Sequence, residues 1–361
     1  MGKSNPRKIL NIVKILFLTG DLKKIGGIQT YNKDVIGALN DLRIELLVVE
    51  YKNKGIINKI RFIFLFLSSV FKFQPTIIFC GHINFSLPVY FVKKLMNYDY
   101  VVFTYGIDVW EIKSNLKIKS LENARVVVSI SRYTAEKLKQ QMSTLISKIY
   151  LLSNAIDGKK FYPKNKSAEI LSKYKLSSNN KIILTVARLS SSEKYKGYDN
   201  VIKAMSMILE EIPEARYMIV GSGDDLERVR NLIKKSNLEE YVILAGKVEE
   251  MVDYYNLCDV FAMPSKGEGF GFVFLEALAC GKPVVAGNAD GSVDAVLDGK
   301  IGLLVNPDNL NEISGAILGV LKHKIDSRLL DREFLRKAVL DAYGIDKFRE
   351  KVEDLLYELQ K

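Results

Sequence analysis

Histidine and cysteine are scarce in this chain: two His, at His82 and His323, and three Cys, at Cys80, Cys258 and Cys280, among 361 residues. Two histidines exclude a His-rich zinc site, and no structural metal is expected. Three cysteines without a C-x-x-C pair exclude a disulfide framework and point to a reducing compartment. No apolar run reaches the ~20 residues that a spanning helix needs. The longest candidate lies within 56–73, where ten apolar or small residues separate Arg61 from Lys72. It reads as an amphipathic or core helix, and Lys52, Lys54, Lys59, Arg61 and Lys72 around it leave an interfacial role open. The aromatic run Phe62, Phe64, Phe66, Phe71 and Phe73 reads as core rather than ligand site. The start, M-G-K-S-N-P-R-K, is charged like a signal peptide, but Lys14 interrupts the apolar run after it and no small-residue cleavage site follows, so 14–19 is expected to be a first buried strand. Missing too are zinc-finger spacing, an RRM-type aromatic motif, and a G-x-G-x-x-G followed some 20 residues on by an acid. Neither nucleic acid nor a dinucleotide cofactor is expected.

What is present describes a globular protein. Apolar residues make up 48% and charged residues 26%, with ordinary numbers of Gly (24) and Pro (8), and the length suits two domains. The net charge of +11 is uneven. Residues 1–170 hold 27 Lys/Arg against 12 Asp/Glu, whereas 171–361 hold 26 against 30. A basic first half attracts polyanions, and an anionic membrane surface is the expected one.

Aliphatic and β-branched runs at 14–19, 44–50, 76–80, 100–104, 125–130 and 148–152 alternate with helical patterns. After Pro163 the alternation restarts at 181–187, 216–221, 241–245, 259–263, 283–286 and 302–305, and helices at 309–322 and 332–360 close the chain. Such alternation predicts βαβ units and two doubly wound parallel sheets, with the Lys-, Ser- and Asn-rich segment 154–180 as linker. Ligands in such sheets sit beyond the carboxyl ends of the strands, so the post-strand residues carry the chemistry.

Gly26 and Gly27, after the first strand, lead into a helix and let a ligand approach the backbone, though a plain loop pair fits as well. After 181–187 come Arg188, Lys194 and Lys196, the last directly before Gly197 at a helix start. A guanidinium fork, an ammonium and a helix N-terminus suit a diphosphate; solvated loop charges are the other reading. The strongest signal is M-P-S-K-G-E-G-F-G-F-V-F-L-E-A-L-A, with Glu268 in a glycine-rich loop and a helix expected from about Phe270. Glu276 lies among Leu275, Ala277, Leu278 and Ala279, where an unpaired carboxylate is costly unless it meets solvent or a partner such as a vicinal diol. Gly269 and Gly271 expose backbone N–H groups. His82, in C-G-H-I-N, follows a strand and is an acceptor or donor-sugar candidate, or a loop histidine bonded to backbone.

The chain resembles the retaining GT-B glycosyltransferases of family four over nearly its whole length. The most specific match is the E-x7-E pattern of Glu268 and Glu276 with G-F-G between. It is supported by Arg188 with the Lys-Gly pair, G-S-G at 221–223, A-G-K-V at 245–248, G-G-I-Q at 26–29, S-N-A-I-D-G-K-K-F-Y-P at 153–163 and G-S-V-D-A-V-L-D-G-K-I-G-L-L-V at 291–305. The resemblance implies an α/β GT-B fold, two Rossmann-like domains facing a cleft. These are a basic acceptor-side domain over 1–165, a donor-side domain over 166–340, and a helix over 341–361 that packs back on the first.

It further implies that Arg188 and Lys196 neutralise the leaving diphosphate, with Lys194 open as a competitor. Glu268 and the backbone of Gly269, Phe270 and Gly271 would hold the donor sugar, Glu276 the ribose, Lys247 and Val248 the base, and Gly26, Gly27 and Gly221 the rest of the donor. Where the family often has His before Gly, this chain has Tyr105 before Gly106. The activity so implied is retaining, metal- and cofactor-independent transfer of a hexose-type sugar from a nucleotide diphosphate sugar to a glycan or lipid-linked acceptor. It would take place in the cytoplasm or peripherally on the membrane's inner face. An epimerase or phosphorylase on the same fold, or a non-catalytic sugar-nucleotide-binding subunit, are the alternatives.

Overall fold

The alternation of aliphatic runs and helical segments resolves into two six-stranded parallel sheets in the computed structural model, which describes residues 13–24, 26–52 and 55–361. The charged start at 1–12 and Lys54 lie outside the described residues. The first sheet contains β1 (Lys14–Gly20), β2 (Glu45–Tyr51), β3 (Ile77–Cys80), β4 (Asp99–Thr104), β5 (Val126–Ser129) and β6 (Ile149–Leu151), in the order β2-β1-β3-β4-β5-β6. The second contains β7 (Lys181–Val186), β8 (Ala215–Val220), β9 (Val242–Gly246), β10 (Val260–Met263), β11 (Val284–Gly287) and β12 (Leu303–Val305), in the order β12-β11-β10-β7-β8-β9. All twelve coincide with the expected runs to within two residues at each end.

These runs read as continuous apolar stretches because helices cover both faces of each sheet. In β1, Ile15, Leu16, Phe17 and Leu18 are wholly buried. Phe17, Phe79 and Phe103 pack on one face with ring centroids 5.6–6.1 Å apart. On the other, Leu16, Leu18, Ile78 and Val102 meet Phe62, Phe66 and Val70 from helix α2 (Ile56–Phe73), and Val89 and Val92 from helix α3 (Ile83–Met96). In the second sheet Ile183, Ile219, Val260 and Val285 join the helices Tyr198–Glu211 and Leu310–Leu321 in one cluster.

Each sheet has one place where the chain reverses its direction of travel. In the first, β1 lies between β2 and β3; in the second, β7 lies between β8 and β10. Neighbouring strands there send their following loops to opposite faces, which opens a crevice at their carboxyl ends.

The contacts divide the chain into two units: one comprising residues before 131 with 134–153 and 348–361, the other 131–133 with 154–347. Residues 154–180 are therefore part of the second unit rather than a linker. Their polar side chains are used for docking: the Lys164 N–H donates to Asn256 Oδ1 at 2.6 Å, and Lys164 and Lys166 pair with Asp253 and Asp259, both at 2.8 Å. Ser167 caps the helix Ala168–Lys173. The helical stretch 332–360 is two helices, Arg332–Tyr343 and Ile345–Gln360, broken where Gly344 turns extended to bridge Ile156. In the first unit Phe348 of the latter helix meets the Tyr31 ring at 5.8 Å. The aromatic run divides as well: Phe62 and Phe66 are core, whereas Phe64 and Phe71 are 71% and 63% exposed.

Candidate functional site

The crevice of the second sheet is bounded by the loop after β7 and the loop after β10, and these carry the charged residues singled out above. Arg188 follows β7 and is largely exposed, with its guanidinium 2.8 Å from Glu193 Oε1. Lys196 is half-buried; its ammonium bonds Glu268 and lies 3.7 Å from Glu193. Burial works against that charge, but Glu268, Tyr195 and Glu193 outweigh it and hold the Lys196 pKa above its ordinary value. Lys194, two residues earlier, is exposed. The structure thus brings Arg188, Lys196 and Glu268 together through Glu193, which the sequence reading did not single out. Two cations lie beside two carboxylates that an incoming diphosphate can replace as partners.

Backbone proximity fixes the Glu268 loop. Gly197 has φ of +79°, and a Cβ there would lie 2.1 Å from the Pro264 carbonyl oxygen. A Cβ at Gly291 would lie 2.1 Å from the Gly269 carbonyl oxygen. Between these contacts stands Asp290, 1% exposed, whose carboxylate accepts from the Glu268 N–H at 2.7 Å, the Ser265 hydroxyl at 2.9 Å and the Ser292 N–H at 2.9 Å. Burial raises the Asp290 pKa, and hydrogen bonds from Ser292 and the Glu268 N–H oppose the rise. Asp290 was also missed by the sequence reading, since nothing in A-D-G-S marks an acid that points inward.

The helix after this loop runs Phe272–Ala279, two residues later than expected, because Gly271 at φ +95° forms its cap. Phe270 is buried with its ring edge-on to Tyr343 at 5.2 Å. Glu276 is half-buried and accepts from the Tyr255 hydroxyl at 2.6 Å; burial raises its pKa, and Tyr255 and Lys160 pull the other way. Gly221 follows β8 with its N–H on the Gly246 carbonyl at 2.9 Å, and beyond β9 Lys247 is exposed and Val248 half-buried. The neighbouring acids are engaged. Asp224 accepts from the Ser191 hydroxyl at 2.7 Å, and Asp225 holds Arg228 at 2.6 Å and the Tyr198 hydroxyl at 2.9 Å. Among the described residues no three His, Cys, Asp or Glu side chains form a metal-binding group.

In the first unit the crevice after β1 and β3 places Gly26 and Gly27 at the start of helix α1 (Gly27–Asp41) and His82 at the start of α3. Tyr105 stacks on His82 at 6.2 Å, but its hydroxyl is committed inward, donating to Asn32 Oδ1 at 2.6 Å with Gly81 O at 3.1 Å. His82 Nδ1 accepts from the Asn84 N–H at 3.1 Å, so the neutral ring carries its proton on Nε2, 4.0 Å from Asp108. Burial, with Lys117 nearby, lowers His82 to about 4; burial raises Asp108 to about 6.

Comparison with known proteins fits this geometry. Residues 166–334 match the family model described as Glycosyl transferases group 1. The chain is 31% identical over 205 residues to a GDP-mannose-dependent alpha-(1-6)-phosphatidylinositol monomannoside mannosyltransferase of Mycolicibacterium smegmatis, an alignment covering 54% of this chain and 52% of that protein. The chain thus spans about half the length of these curated relatives. Among solved structures, sucrose-phosphate synthase from Thermosynechococcus elongatus superposes with a TM-score of 0.80 at 21% identity, covering 96% of this chain and 99% of that one. Anabaena HepE in complex with UDP gives 0.79 at 18% identity, covering 96% and 100%. These likenesses show the GT-B fold.

Two outcomes are expected from this geometry. Asp290→Asn turns an amide N–H₂ toward donors that need an acceptor, so it should lower stability by about 1–3 kcal/mol, read as a lower urea midpoint at unchanged slope. His82 should titrate well below 6.5 in NMR spectra, with resonances assigned through His323→Gln. The unfolded chain takes up a proton at His82 that the native state refuses, so the stability His82 contributes over His82→Gln should fall as pH drops from 6.5 toward 4.

Proposed function

Because the chain carries a group 1 glycosyl transferase domain over residues 166–334 on a GT-B fold, we propose that it moves a hexose-type sugar from a nucleotide diphosphate sugar to a hydroxyl of a glycan or lipid-linked saccharide, with retention at the anomeric carbon. The observation that carries this reading is the meeting of Arg188, Lys196 and Glu268 at the β7/β10 crevice, with Glu276 on the helix that follows the same loop.

Cleavage of the sugar–phosphate bond builds negative charge on the departing diphosphate. In this reading Arg188 and Lys196 stabilise that charge, aided by the N-terminus of the helix Tyr198–Glu211. Glu268 and the backbone of Gly269, Phe270 and Gly271 hold the sugar, and Glu276 accepts from the ribose hydroxyls. Lys247 and Val248 border the base, and Gly221, where a Cβ would lie 1.8 Å from the Ala187 carbonyl oxygen, lets the loop after β8 close on the loop that carries Arg188. Within the first unit, Gly26 and Gly27 open the backbone at the start of α1 to a diphosphate, His82 is the candidate for an acceptor or donor sugar, and Tyr105, with its hydroxyl turned inward, offers only its ring. The acceptor hydroxyl attacks from the face that the diphosphate leaves. In this reading neither a cofactor nor a metal is required, since Arg188 and Lys196 meet the diphosphate charge and Asp224 and Asp225 are engaged elsewhere.

The mycobacterial relative is named for GDP-mannose and phosphatidylinositol monomannoside, and HepE was solved with UDP. A thermal-shift panel of UDP-, GDP- and ADP-sugars therefore identifies the base, because a ligand of the native state raises its stability. The basic first half supports the reading that the reaction takes place at an anionic membrane surface. Transfer to an acceptor, rather than isomerisation of the donor or consumption of phosphate, separates the enzyme from an epimerase or phosphorylase. A non-catalytic subunit would do none of these.

Arg188→Ala and Lys196→Ala should each lower kcat by about 10²–10³ with a smaller effect on KM, because leaving-group charge peaks in the transition state. Glu276→Gln should chiefly weaken nucleotide binding, and Lys194→Ala should be nearly silent. Steady-state kinetics in the presence of chelator checks all four; four variants at wild-type rates would overturn the site.

A further inference from the structure

Helix α2 carries two apolar stripes, and one of them faces outward. Phe62, Phe66 and Val70 are buried against the first sheet. Ile57, Ile60, Phe64, Leu67 and Phe71, at spacings of three and four, form a second stripe roughly 140° away at ~100° per residue. That second stripe is exposed, from 37% at Leu67 to 77% at Ile57. Single exposed apolar residues are ordinary, but a continuous ridge of five on one helix marks a surface that meets something apolar. Helix α3, in contact with α2 through Phe85 and Phe62 at 5.4 Å, adds exposed Phe91 and Leu95.

The charge around the ridge selects its partner. From residue 51 to residue 98 there is no Asp or Glu, whereas there are seven Lys/Arg. Lys59, Arg61 and Lys72 are exposed on α2 itself. An apolar ridge on a stretch of chain whose only charged side chains are cations matches the acyl–headgroup boundary of an anionic bilayer. A second copy of the same ridge would set cation against cation.

We propose that α2 is a membrane-inserting helix, lying in the bilayer plane with the Ile57–Phe71 ridge among the acyl chains and Lys59, Arg61 and Lys72 at anionic headgroups. No helix among the described residues is long and apolar enough to cross a membrane. The buried stripe holds α2 to its own sheet, so insertion is shallow and the first unit stays folded. This deepens the membrane reading above, which charge alone supports, by adding an apolar term that salt does not screen.

The experiment uses the full chain with vesicles of phosphatidylcholine alone or mixed with phosphatidylglycerol. The wild type should sediment with the mixed vesicles and keep part of its binding at high salt. Ile57→Ser/Phe64→Ser/Phe71→Ser, whose sites are exposed, should retain the wild-type thermal midpoint and lose binding at least about tenfold. Separately, Phe64→Trp should show quenching by lipids brominated along the acyl chain beyond that of the wild type, which contains Trp110 alone.

Binding that the triple variant retains and salt abolishes, with no added quenching, would leave the membrane reading standing and overturn insertion. No binding to either vesicle would overturn both. Self-association that the triple variant abolishes, without vesicle binding, would assign the ridge to a second copy and overturn insertion. None of these readouts requires transfer activity, so they stand apart from the proposed reaction.

Discussion

The loop that carries Glu268 is held by contacts too close for any side chain to intervene, and the second unit's offering to a ligand depends on them. Gly197 lets the turn after Lys196 lie against the Pro264 carbonyl, and Gly291 does the same at Gly269. Asp290, buried between them, takes three hydrogen bonds from the loop and its support. The two loops of the crevice therefore cannot move independently by much, and the Lys196–Glu268 ion pair is a consequence of that backbone fit. A half-buried ammonium between two carboxylates is costly to assemble from flexible parts, and a rigid frame removes most of that cost.

Charge divides the labour between the units. In the second, Arg188 and Lys196 each have a carboxylate partner at the crevice, for which an anion can compete. In the first, a long stretch of chain has no acid at all, and its cations lie around an apolar ridge. One arrangement suits a small anion held in a fixed geometry. The other suits an extended anionic surface approached reversibly. The transfer proposed above, from a nucleotide sugar to a lipid-linked acceptor, would use both.

The strands were legible because each is an aliphatic or β-branched run, and the chemically active loops were legible because glycine and charge follow those runs. Strand order was less so: that β7 sits beside β10, bringing Arg188 to Glu268, comes from a crossover that no local pattern encodes. Glu193 and Asp290 were invisible for the same reason, being ordinary acids whose importance lies in what packs against them. On α2, periodicity shows two apolar stripes but not which one the sheet covers, so Phe64 and Phe66 look alike in sequence and differ completely in burial. At 154–180 a linker-like composition misleads, since lysines with partners waiting at Asp253 and Asp259 are docking residues.

The central claim is that the second unit's crevice at β7 and β10 holds the donor's nucleoside diphosphate. Hydrogen–deuterium exchange of the full chain with and without UDP or GDP tests it most directly. The account predicts that whichever nucleotide binds slows exchange in residues 187–198 and 264–276. Protection confined to the opposite ends of the strands, around 181, 259 and 283, or none in either segment with the nucleotide bound, would contradict it.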